Sequence, residues 1–148
     1  MATEAQEHVL RVGAHPESLD RVHELLARLW TDDDMPAVDR MQFETAVAEV
    51  AANIVEHAAD GRDVTLVLRV SRWPDRVEAR FEDDGAEAHV DLDAASMPES
   101  GDPDDLDAVL ALAEDGRGLA LARAAVDELV YEREGSTNRW FLVRRRSR

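Results

Sequence analysis

The chain has 148 residues, the size of one domain, and its 45% apolar content fits a soluble globular protein with both helices and strands. It has neither cysteine nor lysine, which excludes disulfides, thiolate zinc sites, Schiff bases and a Walker-type phosphate-loop lysine, and leaves a reducing cytoplasm as the expected location. A net charge of −16 argues against broad binding to nucleic acid or an anionic membrane, while suiting either a basic protein partner or a plain solubilising surface. No apolar run reaches membrane-spanning length, and the first residues lack the pattern of a signal peptide.

Residues 1–5 read as frayed, and Glu7 to Val12 as a short strand. His15-Pro16-Glu17-Ser18 then opens a helix to about Trp30, with Leu19, Val22, Leu25, Leu26 and Leu29 at helical spacing. The connection Asp32-Asp33-Asp34 superficially resembles a metal site, but reads better as a solvated loop with helix-capping carboxylates. A long helix from about Asp39 to Ala59 follows, its apolar stripe formed by Phe43, Ala46, Val47, Val50 and Ile54. Val64 to Val70 and Val77 to Phe81 alternate as two strands of a hairpin around Trp73-Pro74-Asp75.

From Glu82 to Asp115 there are 13 acidic residues and no arginine, with one modest helical patch at Leu106 to Ala113. The interval reads as a mobile connecting segment, a lid over roughly 86–115. Gly116-Arg117-Gly118 then opens a helix through Leu119, Ala122, Val126 and Leu129. A last hairpin runs from Glu128 to Arg133, turns near Gly135, and returns from Arg139 to Arg145 with Trp140 and Leu142 on one face. Arg144-Arg145-Arg146 reads as a strand end and soluble tail.

Three motifs carry chemistry. Asn53 and His57 fall inside the apolar stripe of the long helix and Glu49 sits on its edge, where buried polar groups need a reason to be present. A carboxylate there can accept a proton or position water, and an amide oxygen can bind a hard cation; a helix with satisfied polar groups at its sheet interface explains the same residues. Asp83-Asp84-Gly85 at a strand end can accept a hydrogen bond from an amino group while Gly85 lets a base approach, or can be an ordinary Asp-Gly turn. Gly116-Arg117-Gly118 offers free backbone N–H groups at a helix start, receptive to phosphate, or is simply a flexible entry to the helix.

The order of these motifs resembles the GHKL (Bergerat-fold) ATP-binding domain. Glu49-x-x-x-Asn53-x-x-x-His57-Ala58 looks like its N box, Asp83-Asp84-Gly85 like its first glycine box and Gly116-Arg117-Gly118-Leu119 like its second. Within that superfamily the chain is most similar to the RsbW-like anti-sigma factors, which are serine/threonine kinases. The likeness covers nearly the whole length, including the closing Asn138-Arg139-Trp140. Two positions depart from the pattern: the first box continues Gly85-Ala86-Glu87 without a second glycine, and Asp115 stands where the second box usually opens with glycine.

The resemblance implies a single domain over 1–148, an α/β (α+β) two-layer sandwich in which a mixed, mainly antiparallel sheet of about five strands carries three main helices on one face. It implies ATP and Mg2+ as ligands. Glu49 would be the general base, Asn53 the magnesium ligand and Asp83 the acceptor for the adenine amine beside Gly85. Gly116, Arg117, Gly118 and Leu119 would form the phosphate site. Arg21 would face protein partners. Those partners would be a sigma factor, a STAS-type anti-anti-sigma protein phosphorylated on serine or threonine, and a second copy of the chain in a homodimer. The alternative reading is a degenerate, non-catalytic module that acts only by partner binding.

Overall fold

The computed structural model describes residues 6–57, 63–87 and 118–147, with His57 described by its backbone alone. Strand β1 (Gln6–Gly13) leads into helix α1 (Ser18–Leu29), then α2 (Ala37–His57), β2 (Thr65–Trp73), β3 (Arg76–Asp83), α3 (Gly118–Ala125), β4 (Glu128–Glu134) and β5 (Thr137–Arg145). The strands form one sheet in the order β1-β2-β3-β5-β4, and each of these pairings is antiparallel. The sheet anticipated as mixed is thus antiparallel throughout its described strands. The two-layer α+β plan holds, with one face of the sheet buried beneath helices.

Strand alternation decides which face is covered. One inner row runs across all five strands as Leu10, Leu68, Phe81, Trp140 and Tyr131, paired neighbour to neighbour. Leu68 and Phe81 are fully buried, each worth roughly 1.5–3 kcal/mol relative to exposure. The next inner row reads Val12, Leu66, Asp83, Asn138 and Arg133, so the core face turns polar at its β3-β5-β4 end.

Helix α2 lies between α1 and α3 and also touches the sheet. This position widens its buried face beyond the expected stripe, because Ala51 and Val55 are covered as well as Val47, Val50 and Ile54. Helix α1 buries Val22, Leu25, Leu26 and Leu29 as its periodicity predicts. The hairpin turns are tighter than anticipated: Pro74-Asp75 alone separates β2 from β3, and Gly135, at φ 61°, begins the two-residue turn between β4 and β5.

Three local expectations are corrected. Helix α3 ends at Ala125, so Val126 and Leu129 are not part of it; Leu129 belongs to β4, where alternation rather than helical spacing buries it. Asp33 is not solvated. Its Oδ1 accepts from the Met35 N–H at 2.6 Å, and it pairs with Arg72 and with Arg146 at 3.1 Å. The arginine-rich end is not a free tail: Arg144 bonds Asp39 at 2.8 Å, and the Ser147 N–H and hydroxyl both donate to Asp39. Asp39, fully buried, fastens the start of α2 to the end of β5.

Burial by itself pushes the Asp39 carboxyl up, but the donors from Ser147 and Arg144 outweigh it and leave the group below its ordinary value. Asp33 follows the same balance, with Arg72, Met35 and Arg146 overcoming burial. The expected lid, from 88 onward, with its helical patch at Leu106 to Ala113, lies outside the described residues, as do Ala58 and Ala59 at the end of the long helix.

Candidate functional site

Glu49 and Asn53 stand one turn apart on α2, each part-buried. The carboxylate of Glu49 rests against the first residue of α3: a Cβ added to Gly118 would lie 2.2 Å from Oε2 and 3.2 Å from Cδ. A side chain at 118 and the present position of Glu49 are therefore incompatible, and glycine lets the helix start approach the carboxylate. Burial raises the Glu49 carboxyl above its ordinary value, which makes it the better proton acceptor. Oδ1 of Asn53 is buried and has no hydrogen-bond partner among the described residues. An uncompensated buried carbonyl is costly, and a hard cation is the type of ligand that would satisfy it.

A second cluster occupies the polar end of the inner sheet face. Oδ1 of Asp83 accepts the Gly85 N–H at 3.0 Å and Nδ2 of Asn138 at 2.8 Å. The same Nδ2 also donates to the carbonyls of Ala86 (2.9 Å) and Gly85 (3.3 Å). Oδ1 of Asn138 accepts from the Tyr131 hydroxyl at 2.5 Å and from Arg133 at 2.9 Å. A Cβ at Gly85 would sit 3.1 Å from Oδ1 of Asp83, so the carboxylate would have to give by a few tenths of an ångström, and in ordinary contact, 3.5 Å, with both methyls of Val64.

Residues 12–142 match the sequence profile of the histidine kinase-like ATPase domain. The chain belongs to that family. No curated protein matches it. As a histidine kinase-like ATPase domain it carries the antiparallel five-stranded sheet and helices described above. No described helix is long and apolar enough to cross a membrane.

The structure thus brings Glu49 to Gly118 and Asp83 to Gly85, while no described hydrogen bond or ion pair joins the two clusters. Leu119 is part-buried against the core. Arg21 is exposed on α1 and makes a 3.8 Å ion pair with Glu24. Gly116, Arg117 and Asp115, together with the His57 side chain, lie outside the described residues. The Asp32-Asp33-Asp34 run forms no metal site, for no group of three or more acidic or histidine side chains among the described residues is arranged to hold one.

Sequence reasoning named Asn138 only as a family mark and missed Tyr131 and Arg133. A signal was present. Continuing the alternation of Trp140 and Leu142 two residues back puts Asn138, at 2% exposure, on the core face of β5.

Proposed function

We propose that this histidine kinase-like ATPase domain binds ATP with magnesium and acts as a regulator of the anti-sigma type, phosphorylating a serine or threonine of a STAS-type antagonist and sequestering a sigma factor. The observation that carries this reading is the Glu49 carboxylate, desolvated and seated against Gly118 where α3 begins. Phosphoryl transfer needs positioning and charge neutralisation, plus an acceptor for the hydroxyl proton. Glu49 takes that proton as the hydroxyl oxygen bonds to the γ-phosphorus and the bond to the bridging oxygen breaks, releasing ADP.

Magnesium supplies charge neutralisation at the phosphates, and Asn53, through its unpartnered Oδ1, is the residue that fits it. Asp83 accepts the adenine amine, with Gly85 giving the base room. A bound nucleotide would be held by both clusters. Gly116, Arg117, Gly118 and Leu119 form the phosphate end, Arg21 faces the protein partner, and the working form is a homodimer in the cytoplasm.

The test is incubation with labelled ATP, magnesium and a candidate antagonist. Label transferred to the antagonist by the wild type and lost in Glu49→Gln, with ATP binding retained, supports the reading. A second reading, partner sequestration without catalysis, draws on Glu87 and Asp115 at positions where the motifs carry glycine. ATP binding without transfer to any antagonist would favour it.

A further inference from the structure

Asn138 sits where β5 meets the strand end that carries Asp83, and the chemistry of its neighbours leaves its amide one orientation. The Arg133 guanidinium is only a donor, so the atom facing it is the amide oxygen. The Gly85 and Ala86 carbonyls are only acceptors, so the atom facing them is the amide nitrogen. Nδ2 is therefore a donor towards Asp83, and the Gly85 N–H is a second donor on the same oxygen. Oδ1 of Asp83 is committed to these two internal bonds, which fix the carboxylate's rotation, and no hydrogen bond among the described residues uses Oδ2, the oxygen that can meet a ligand as an acceptor.

We propose that Asn138 is a positioning and specificity-determining residue: held by Tyr131 and Arg133, it sets the rotation of Asp83 so that the site selects a purine with a 6-amino donor. The proposal rests on the nucleotide reading above and adds to it the residue that sets the choice of base. It also explains why a fully enclosed carboxamide stands in an inner row otherwise expected to pack apolar groups. The β4-β5 hairpin, rather than α2, then determines which base is accepted.

The experiment compares binding of ATP with that of purine riboside triphosphate, which lacks only the 6-amino group, to wild type, Asn138→Leu and Tyr131→Phe. Wild type is expected to prefer ATP by about thirtyfold, the value of one well-placed hydrogen bond to a charged group. Asn138→Leu should reduce that preference to about threefold or less, chiefly by weakening ATP, while binding of the analogue changes little. A purely structural role would weaken both nucleotides in parallel, and that result, or an unchanged preference, overturns the proposal. Should Asn138→Leu fail to fold, Tyr131→Phe decides by the same criterion, with a smaller reduction expected because Arg133 still holds the amide. Wild type that binds neither nucleotide overturns the nucleotide reading itself and this proposal with it, an outcome visible before any variant is made.

Discussion

Gly118→Ala probes the centre of the candidate site with a single methyl group. The added Cβ would stand 2.2 Å from Oε2 of Glu49, whereas contacts under 3.0 Å essentially never occur and ordinary ones begin at 3.4 Å. The carboxylate must therefore retreat by about 1 Å. The backbone is no obstacle, because Gly118 does not have the left-handed φ that would strain alanine. Replacing glycine at a compatible position contributes about 0.4–1 kcal/mol by restricting the unfolded chain. In wild type the displaced Glu49 offsets much of this, leaving a net change within about 1 kcal/mol of zero.

In a Glu49→Ala background the obstruction is gone and the same methyl should stabilise by the full ~0.4–1 kcal/mol. Denaturant unfolding of the four proteins measures the coupling, expected at about 0.5–2 kcal/mol. The same effect of Gly118→Ala in both backgrounds would refute the contact. On the proposed function, moving the proton acceptor by this distance should slow the phosphoryl transfer proposed for Glu49 on the order of 100-fold. Transfer within a few-fold of wild type would show that the position of Glu49 does not matter.

Glu49→Gln should stabilise the fold at pH 7 by roughly 0.5–2 kcal/mol while abolishing transfer. The folded carboxyl is raised by burial above its ordinary value of 4.5, so its contribution is fully present below the unfolded value and is lost as pH rises through the folded one. The gain should shrink towards zero near pH 4, and equal melting temperatures at pH 7 would count against it. Asn53→Ala should cost under about 1 kcal/mol of stability, because it removes an unsatisfied acceptor. It should weaken ATP binding about tenfold in magnesium, the ~1.4 kcal/mol of one lost contact. Titration showing the same loss with and without magnesium would reject the metal role.

Asp39→Ala should destabilise by about 3–5 kcal/mol, since it strands Arg144 and two donors of Ser147. The lowered carboxyls of Asp33 and Asp39 contribute stability that is present above the unfolded value of about 3.8 and is lost as pH falls through their folded values. Wild type should accordingly lose stability below about pH 4, and urea unfolding that is flat from pH 5 to 3 would disprove this.

The elements were legible because their periods are clean: Leu68 and Phe81 alternate, and Val22, Leu25, Leu26 and Leu29 repeat along one helical face. The candidate residues of α2 were legible because Glu49 and Asn53 interrupt an apolar stripe. What escaped notice depends on contacts far apart in the chain. Nothing local to Asp39 tells that it will meet Arg144 and Ser147, and nothing local to Asp33 announces Arg72 and Arg146. Asn138 needed both periodicity and register, because only the pairing of β3 with β5 sets it opposite Asp83. The end of α3 is not legible because Val126 and Leu129 also satisfy helical spacing, while the sheet claims Leu129.

The position of Trp140 gives the protein a built-in optical probe. Its indole is 2% exposed, lies 4.6 Å centroid to centroid from the ring of Tyr131, and has an Nε1 with no hydrogen-bond partner among the described residues. Trp30 donates to Glu44, and Trp73 lies beneath the Arg76 guanidinium, so the three tryptophans occupy unlike surroundings. An unpartnered indole in apolar packing emits towards the blue, and Trp140 touches the same tyrosine that holds Asn138. Changes at the β4-β5 end of the sheet can therefore be followed by intrinsic fluorescence, without attaching a dye.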